Sequence, residues 1–242
     1  CCICRFKTFK NLLTSNKMNL ALKLFNQNKK TNQLLLFYGL YCLSLLLVRA
    51  KITNSVYLFF LIWNVFLALI PYVISSHLLT LNLKKTSRFK VLIISAVWLA
   101  FVPNAFYIIT DLVHLVNSDG HIFWLDLIIL SSYALIGFAF GILSLLDFEK
   151  IIQQFTNLKY TNLLIPAICF LCGIGIYIGR ILRYNSWDII SNPIDLAIDL
   201  FQMTISLKSI LFSIHFAVFI YFSFLIKKNL TSNNPNHGNT NL

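Results

Sequence analysis

The first of two unusual segments in this chain places ionisable and polar side chains at helical spacing within an apolar run. Four residues are separated by three, four and three positions, so that a helix would place them on one face: Asn104, Tyr107, Asp111 and His114. An ionisable group in a membrane segment costs roughly 2.5–3.5 kcal/mol at the bilayer centre and less at the interface, so it needs a physical reason. Asp111 and His114 are therefore candidate catalytic residues that would handle protons, with Asn104 and Tyr107 as candidate ligand-binding residues.

The second segment places two guanidinium groups and two aromatic rings on one helical face, at Arg180, Arg183, Tyr184 and Trp187. Aromatic rings at a membrane interface are common and need no further explanation. The arginines do need one, because they fall on the side of the membrane that is predicted to be depleted of positive charge. They require either anionic partners in the protein or an anionic ligand.

These two segments are expected to meet in a polar cluster at the outer ends of the third, fourth and fifth helices. Arg180 and Arg183 would pair there with one of three carboxylates, which are Asp111, Asp126 and Asp188. A fully paired cluster would be structural, whereas a free arginine would bind a lipid phosphate or another anionic head group. The sequence leaves both outcomes open. The candidate ligand-binding residues are accordingly Asn104, Tyr107, Asp126, Arg180, Arg183, Trp187 and Asp188.

Other kinds of chemistry have weaker support in the sequence. His114, His121, Asp111 and Asp126 could in principle supply metal ligands, but they lack a recognised ligand spacing, and no metal site is predicted. There is no hydrolase signature and no glycine-rich phosphate loop, and no cofactor is predicted. The C-x-x-C at Cys169 lies within an apolar segment and is expected to be buried as two small hydrophobic residues.

Several isolated residues in the apolar runs predict helix packing. Gly137 with Gly141, and Gly175 with Gly179, form G-x-x-x-G pairs, which permit close approach of neighbouring helices. Pro103 removes one backbone hydrogen bond and tends to kink its helix. Single polar residues within apolar helices are expected to form hydrogen bonds between helices; these are Asn64, His77 and His215.

The composition excludes an ordinary soluble protein. Of the 242 residues, 58% are hydrophobic and only 12% are charged, and the mean hydropathy is +0.75. The net charge is +12, but the basic residues stand between apolar runs. This placement favours the lipid bilayer, including its anionic lipids, as the partner over nucleic acid.

The fold class that follows is an all-α polytopic integral membrane protein with about six transmembrane helices. A bilayer core of about 30 Å needs roughly 20 helical residues. The expected domains are a basic segment 1–30, a transmembrane domain 31–228 and a polar tail 229–242. The predicted spans are Gln33–Val48, which a snorkelling Arg49 would complete, Val56–Leu79, Phe89–Thr110, Ile122–Leu146, Asn162–Leu182 and Ile205–Ile226.

The distribution of basic residues predicts the orientation in the membrane. With alternating spans, 15 of the 20 Lys and Arg residues, or 11 of 16 when residues 1–17 are left out, fall on the side of the two termini, which is expected to be cytoplasmic. The stretch from Met18 looks like an ordinary bacterial amino terminus, so residues 1–17 are expected to be untranslated. A short interfacial helix is expected to begin at Asn192-Pro193. The expected location is a bacterial cytoplasmic membrane.

The two segments described above resemble a family of bacterial multi-spanning membrane proteins known as domain of unknown function 1361. The resemblance rests on Phe101–Leu115 (FVPNAFYIITDLVHL) and Gly175–Asp188 (GIYIGRILRYNSWD), and it extends from about Leu34 to Ile226. Phe106 stands where the family often has proline. The resemblance implies a membrane location and no established activity.

Two classes of function remain open at the level of sequence. In the first, the protein is a binding or enzymatic component that acts on an anionic lipid-linked or periplasmic ligand, which the arginines would hold. In the second, it is a transporter or a structural partner subunit of a membrane complex. A transporter is expected to contain a discontinuous helix near the bilayer midplane, and Pro103 is the one hint of such a break.

Overall fold

The computed structural model describes residues 28–82, 86–118, 120–155, 158–184, 191–192, 194–195, 198–199 and 206–232. These residues form helices and no strand, which confirms the all-α prediction. The helices are α1 Lys29–Thr53, α2 Phe60–Thr80, α3 Arg88–Tyr107, α4 Phe123–Gln153, α5 Leu158–Tyr177 and α6 Leu207–Ser232. Most of the predicted basic segment, including Met18, and most of the tail lie outside the described residues.

Six helical stretches in the described residues are long and apolar enough to cross a membrane, in agreement with the predicted number. Their ends differ from the predicted ends by a few residues, because helices continue past the apolar run into polar flanks. The stretches are Lys29–Thr53, Tyr57–Thr80, Arg88–Val116, Phe123–Gln153, Tyr160–Leu182 and Leu207–Thr231.

The chain divides into two compact units, of which one ends at Tyr41 and the other begins at Cys42. In the first unit the described residues are helical, and their large apolar side chains, such as Leu34 and Phe37, are mostly exposed. In the second unit α2 packs on α3 and α4, α3 also contacts α4 and α5, and α5 pairs with α6. α4 is the most buried of the spans.

The core of the second unit is built around Trp98 of α3. Its ring stacks on Phe148 of α4 with the centroids 3.7 Å apart, and its indole N–H donates a hydrogen bond to Ser144 Oγ at 2.7 Å. A buried indole N–H needs such a partner, so the core satisfies its polar group as well as filling its volume. Cys169 and Cys172 are fully buried free thiols in this core, as predicted.

Four glycines pack closely, from two sides, against the end of α3 and the residue that follows it. A Cβ on Gly175 would lie 2.6 Å from Pro103 Cβ, and one on Gly179 would lie 3.3 Å from the Tyr107 ring. On the α4 side, a Cβ on Gly141 would lie 2.6 Å from the Phe106 ring, and Gly137 meets the side chain of Ile108. The prediction that both G-x-x-x-G pairs serve helix packing is confirmed, and they hold the segment that leads into the polar cluster.

A separate set of polar contacts lies at the end of the spans that is predicted to face the cytoplasm. Lys228 Nζ on α6 donates to Glu149 Oε1 on α4 at 2.5 Å. The nearby Asp147 accepts a hydrogen bond from Ser76 Oγ at 3.1 Å and lies 3.8 Å from Lys150 Nζ. These contacts connect α4 to α2 and α6, so both carboxylates have a structural explanation.

Candidate functional site

The segment that carries Asp111 and His114 is a 3-10 helix, Ile108–Asn117, that continues directly from α3. The spacing of the polar residues predicted an α-helix here. A 3-10 run of ten residues is unusual, since most extend for only three or four. The segment is rich in β-branched residues, which lose side-chain freedom in an α-helix. Because a 3-10 helix has three residues per turn, Asp111 and His114 lie one directly above the other.

Asp111 is the centre of the polar contacts. Its side chain is only 2% exposed, and a carboxylate so deeply buried requires partners. Asn64 of α2 donates a hydrogen bond from Nδ2 to Asp111 Oδ2 at 2.7 Å, and Arg180 Nη1 lies 3.4 Å from Oδ1. Asp111 therefore links α2 to the end of α5. Asp188 lies outside the described residues, and of the two predicted partners that are described, Asp111 is the one that pairs with Arg180.

Arg180 lies in a π-helical turn, Ile178–Leu182, that follows α5 without interruption. Its Nη1 also donates to Tyr107 Oη at 3.3 Å, and its guanidinium carbon lies 5.8 Å from the centroid of the Tyr107 ring. π-helical turns are rare and occur often at functional sites. The tyrosine and the aspartate together fix the position of the guanidinium group.

His114 is held by the aromatic side chains at the start of the second span. Its Nδ1 lies 3.0 Å from Tyr57 Oη, within hydrogen-bond distance, and its ring centroid is 4.9 Å from that of Phe60. One nitrogen is thus engaged by a phenol, which leaves Nε2 for another partner. This contact restrains the orientation of the imidazole ring.

A cleft of about 640 Å³ opens beside these residues, and we call it the arginine cleft. Arg183, the residue after the π-helical turn, has a φ of 63°, a left-handed conformation that is uncommon for a non-glycine residue. Among the described residues, no carboxylate lies within ion-pair distance of Arg183. The cleft is lined by Tyr107, Val113, His114, Val116, Gly179, Arg180 and Arg183.

Asp126 belongs to a neighbouring ion pair and not to the predicted pair with Arg180 or Arg183. Arg49 donates from Nε to Asp126 Oδ1 at 2.6 Å and from Nη2 to Oδ2 at 3.2 Å, and Ser118 Oγ adds a bond at 2.6 Å. The prediction that Arg49 snorkels toward the interface is wrong, because the residue is only 6% exposed. The bidentate contact with a buried carboxylate explains why it stays inside.

The remaining predicted residues are distributed as follows. Trp187 and Asp188 lie outside the described residues, as does Pro193 of the predicted interfacial helix. Asn104 is half-buried in α3, one turn before Tyr107, and His121 is exposed. Within the part of the chain that the structure describes, no group of three or more His, Cys, Asp or Glu residues is placed to hold a metal ion.

Three residues of the observed polar contacts were not predicted to belong to the cluster; these are Asn64, Tyr57 and Arg49. Asn64 was predicted to make a hydrogen bond between helices, and this is confirmed, but its partner Asp111 could not be foreseen. For His215 the corresponding prediction is wrong, because its Nδ1 contacts the carbonyl of Leu211 in its own helix at 2.7 Å. His77 Nδ1 is buried and has no hydrogen-bond partner among the described residues. A single polar residue in an apolar span was thus a useful signal for Asn64 and not for His215.

The spans and the buried polar contacts between them define a multi-pass integral membrane protein. A family model described as "Protein of unknown function (DUF1361)" matches residues 63–223, and the chain belongs to this family. Asn64, Asp111, His114, Asp126 and Arg180 all fall within the matched range. Comparisons with curated proteins and with solved structures gave no match.

Proposed function

We propose that this membrane protein binds an anionic ligand in the arginine cleft, where Arg180 and Arg183 contact the anion. One observation carries the proposal. Two arginines line a single cleft, and among the described residues Asp111 is the one carboxylate at ion-pair distance from either of them. Arginine presents several N–H donors in a planar fork that suits carboxylate and phosphate groups.

The contacts of Arg180 support a binding role as well as a structural one. Both hydrogen bonds described for its side chain use Nη1, one to Asp111 and one to Tyr107. In the described part of the chain neither its Nη2 nor its Nε has such a hydrogen bond, so donors of this guanidinium group remain for a ligand. Asp111 is a positioning residue in this proposal, because it is buried and holds the guanidinium group in place.

His114 is the residue of the cleft that is suited to proton transfer. Both Asp111 and His114 were candidates on sequence grounds, but Asp111 is engaged by Asn64 and Arg180 and does not line the cleft. His114 lines it, and its Nδ1 is engaged by Tyr57. A general acid or base must be within hydrogen-bond reach of the group that it serves, which favours His114.

The proposed location of the cleft is the outer side of a bacterial cytoplasmic membrane, with both termini in the cytoplasm. The support is that 15 of the 20 basic residues, or 11 of 16 when residues 1–17 are left out, fall on the side of the termini. Single cysteines at Val116 and Phe155, in a chain whose native cysteines are replaced by serine, test this in intact cells. Labelling by a membrane-impermeant maleimide is expected at position 116 and not at 155, and the reverse pattern would overturn the orientation.

Binding is tested with the full chain purified in a neutral detergent, by titration calorimetry with two anionic probes. One probe is soluble, glycerophosphoglycerol, and the other is a lipid, dioctanoyl phosphatidylglycerol. R183Q removes an exposed cleft arginine and is expected to weaken binding about tenfold. The matched control R88Q removes an exposed arginine at the opposite end of α3 and is expected to bind as the wild type does.

Two results would overturn the proposal. The first is that neither probe binds the correctly folded wild type. The second is that R183Q and R88Q bind both probes equally well. Co-purification of one stoichiometric protein, together with such a result, would favour the role of a partner subunit. A transport role has less support, because α3 continues as a helix through Pro103 and the irregular helical turns lie at the ends of the spans.

A further inference from the structure

We infer that the ligand of the arginine cleft is a membrane lipid with a single negative charge on a phosphodiester. This inference rests on the proposed function and adds the ligand class to it. A phosphate group could equally come from a soluble molecule. Three properties of the cleft, which are its apolar lining, its depth and its charge, favour the lipid.

The lining of the cleft is amphipathic. Val113 and Val116 line it together with the arginines, and both valines are exposed, Val116 to 84%. Ile181, between the two arginines in sequence, is also exposed. An apolar surface next to two guanidinium groups suits a molecule with an acyl chain attached to an anionic head. A soluble anion has no apolar part that could contact these side chains.

The depth of the cleft matches the position of lipid phosphates. Most of its lining residues come from the last turns of two spans, Arg88–Val116 and Tyr160–Leu182, and Arg183 follows the second span directly. The ends of membrane spans lie where acyl chains meet head groups, and arginine side chains there contact phosphates. A lipid can therefore enter from the bilayer without leaving it.

The charges of the described residues at the cleft favour a monoanion. Arg180 and Arg183 contribute two positive charges and Asp111 one negative charge, so these three residues together carry one net positive charge. A phosphodiester carries one negative charge and would balance them. A phosphomonoester carries about 1.5–2 negative charges and would be left with an excess in a poorly solvated place.

The test compares four probes on the full chain in neutral detergent micelles. Dioctanoyl phosphatidylglycerol is the proposed class, and glycerophosphoglycerol is the same head group without acyl chains. Dioctanoyl phosphatidylcholine keeps the phosphodiester but adds a positive charge, and dioctanoyl phosphatidic acid is a phosphomonoester. We expect the phosphatidylglycerol to bind at least tenfold more tightly than each of the other three. R183K is expected to retain most of this affinity, and R183Q to lose about tenfold.

D111N provides a second, independent measurement. The variant keeps an oxygen that can accept the hydrogen bond from Asn64 but removes the negative charge. Positions 111, 180 and 183 together then carry a net charge of two positive units instead of one. The preference is then expected to move at least fivefold toward phosphatidic acid. An unchanged preference in a correctly folded D111N protein would overturn the charge assignment.

The experiment gives different results if only the lipid assignment is wrong and if the proposed function is wrong as well. Equal binding of glycerophosphoglycerol and dioctanoyl phosphatidylglycerol, with both weakened by R183Q, would overturn the lipid assignment and leave anion binding in place. Equal binding of phosphatidylcholine and phosphatidylglycerol would overturn the requirement for a net negative charge. Binding that does not respond to R183Q for any probe would overturn both proposals.

Discussion

Replacing either member of the buried Arg49–Asp126 pair is expected to destabilise the protein far more than replacing both. The side chains are 7% and 3% exposed, and two hydrogen bonds of 2.6 and 3.2 Å join them. A hydrogen bond to a charged group contributes about 1.5–3 kcal/mol, so the two together contribute roughly 3–6 kcal/mol. Measurements on other buried pairs agree, since removing one partner costs about 3–5 kcal/mol and leaves a buried charge uncompensated.

The substitutions Arg49→Met and Asp126→Leu, singly and together, form a double-mutant cycle. The assay is unfolding by sodium dodecyl sulfate in mixed micelles, with the free energy of unfolding measured for all four proteins. Each single variant is expected to lose roughly 3–5 kcal/mol, and the double variant to lie within about 1 kcal/mol of the wild type or above it. Arg49 strengthens this expectation, because its Nη1 already lacks a partner among the described residues.

Two outcomes would refute the reasoning. Single variants that each lose less than about 1 kcal/mol would show that the buried charges are solvated in the folded protein. A double variant that loses the sum of the two single losses would show that the residues act independently, and the pair would then not be the source of the stability.

Three further predictions concern packing, charge and the thiols. Gly141→Ala places a methyl group against a fully buried phenylalanine ring and is expected to cost roughly 1–3 kcal/mol in unfolding free energy, whereas Gly120→Ala, with no atom within 4 Å of its Cβ, is expected to change it by less than about 0.5 kcal/mol. Lys228→Met removes a partner that is 40% exposed from a glutamate whose side chain is only 8% exposed, and it is expected to cost about 1–3 kcal/mol, because water can reach this ion pair from the lysine side; a loss as large as that of Asp126→Leu would contradict this. Cys169 and Cys172 are expected to resist a membrane-permeant maleimide until the protein is unfolded, and rapid labelling of the native protein would disprove their burial.

The number and approximate position of the spans could be predicted from the sequence, because a span is a local property of about 20 residues. The type of helix at the ends of the spans, whether α, 3-10 or π, could not be predicted from the sequence. The spacing of Asp111 and His114 fits one face of an α-helix and also one line of a 3-10 helix, since both have a repeat near three residues. The segment adopts the 3-10 form in the folded chain, where α4 packs on it and α2 provides the partners.

The members of the polar cluster were partly predictable, and their pairing was not. The predicted topology placed several aspartates on the same side of the membrane as Arg180 and Arg183. Local sequence patterns could not show which aspartate pairs with which arginine. The choice depends on helix packing, because Asp126 is taken by Arg49, 77 residues away in the chain. Such distant contacts depend on how the spans pack together, which local patterns do not specify.

The ten-residue 3-10 helix has a consequence for the spacing of contacts along α2. Three residues of a 3-10 helix advance about 6 Å, the same distance as four residues of an α-helix. The distance along the helix axis from Asp111 to His114 therefore equals the distance from Asn64 to Phe60. Asp111 contacts Asn64, and His114 contacts Phe60. An α-helical segment would advance only about 4.5 Å over the same three residues and turn His114 away by about 60°. The two helices rise by different distances per residue, yet their contacts stay in register because four residues of α2 match three residues of the 3-10 helix. Inserting one residue between Asn64 and Phe60, or between Asp111 and His114, would break this match.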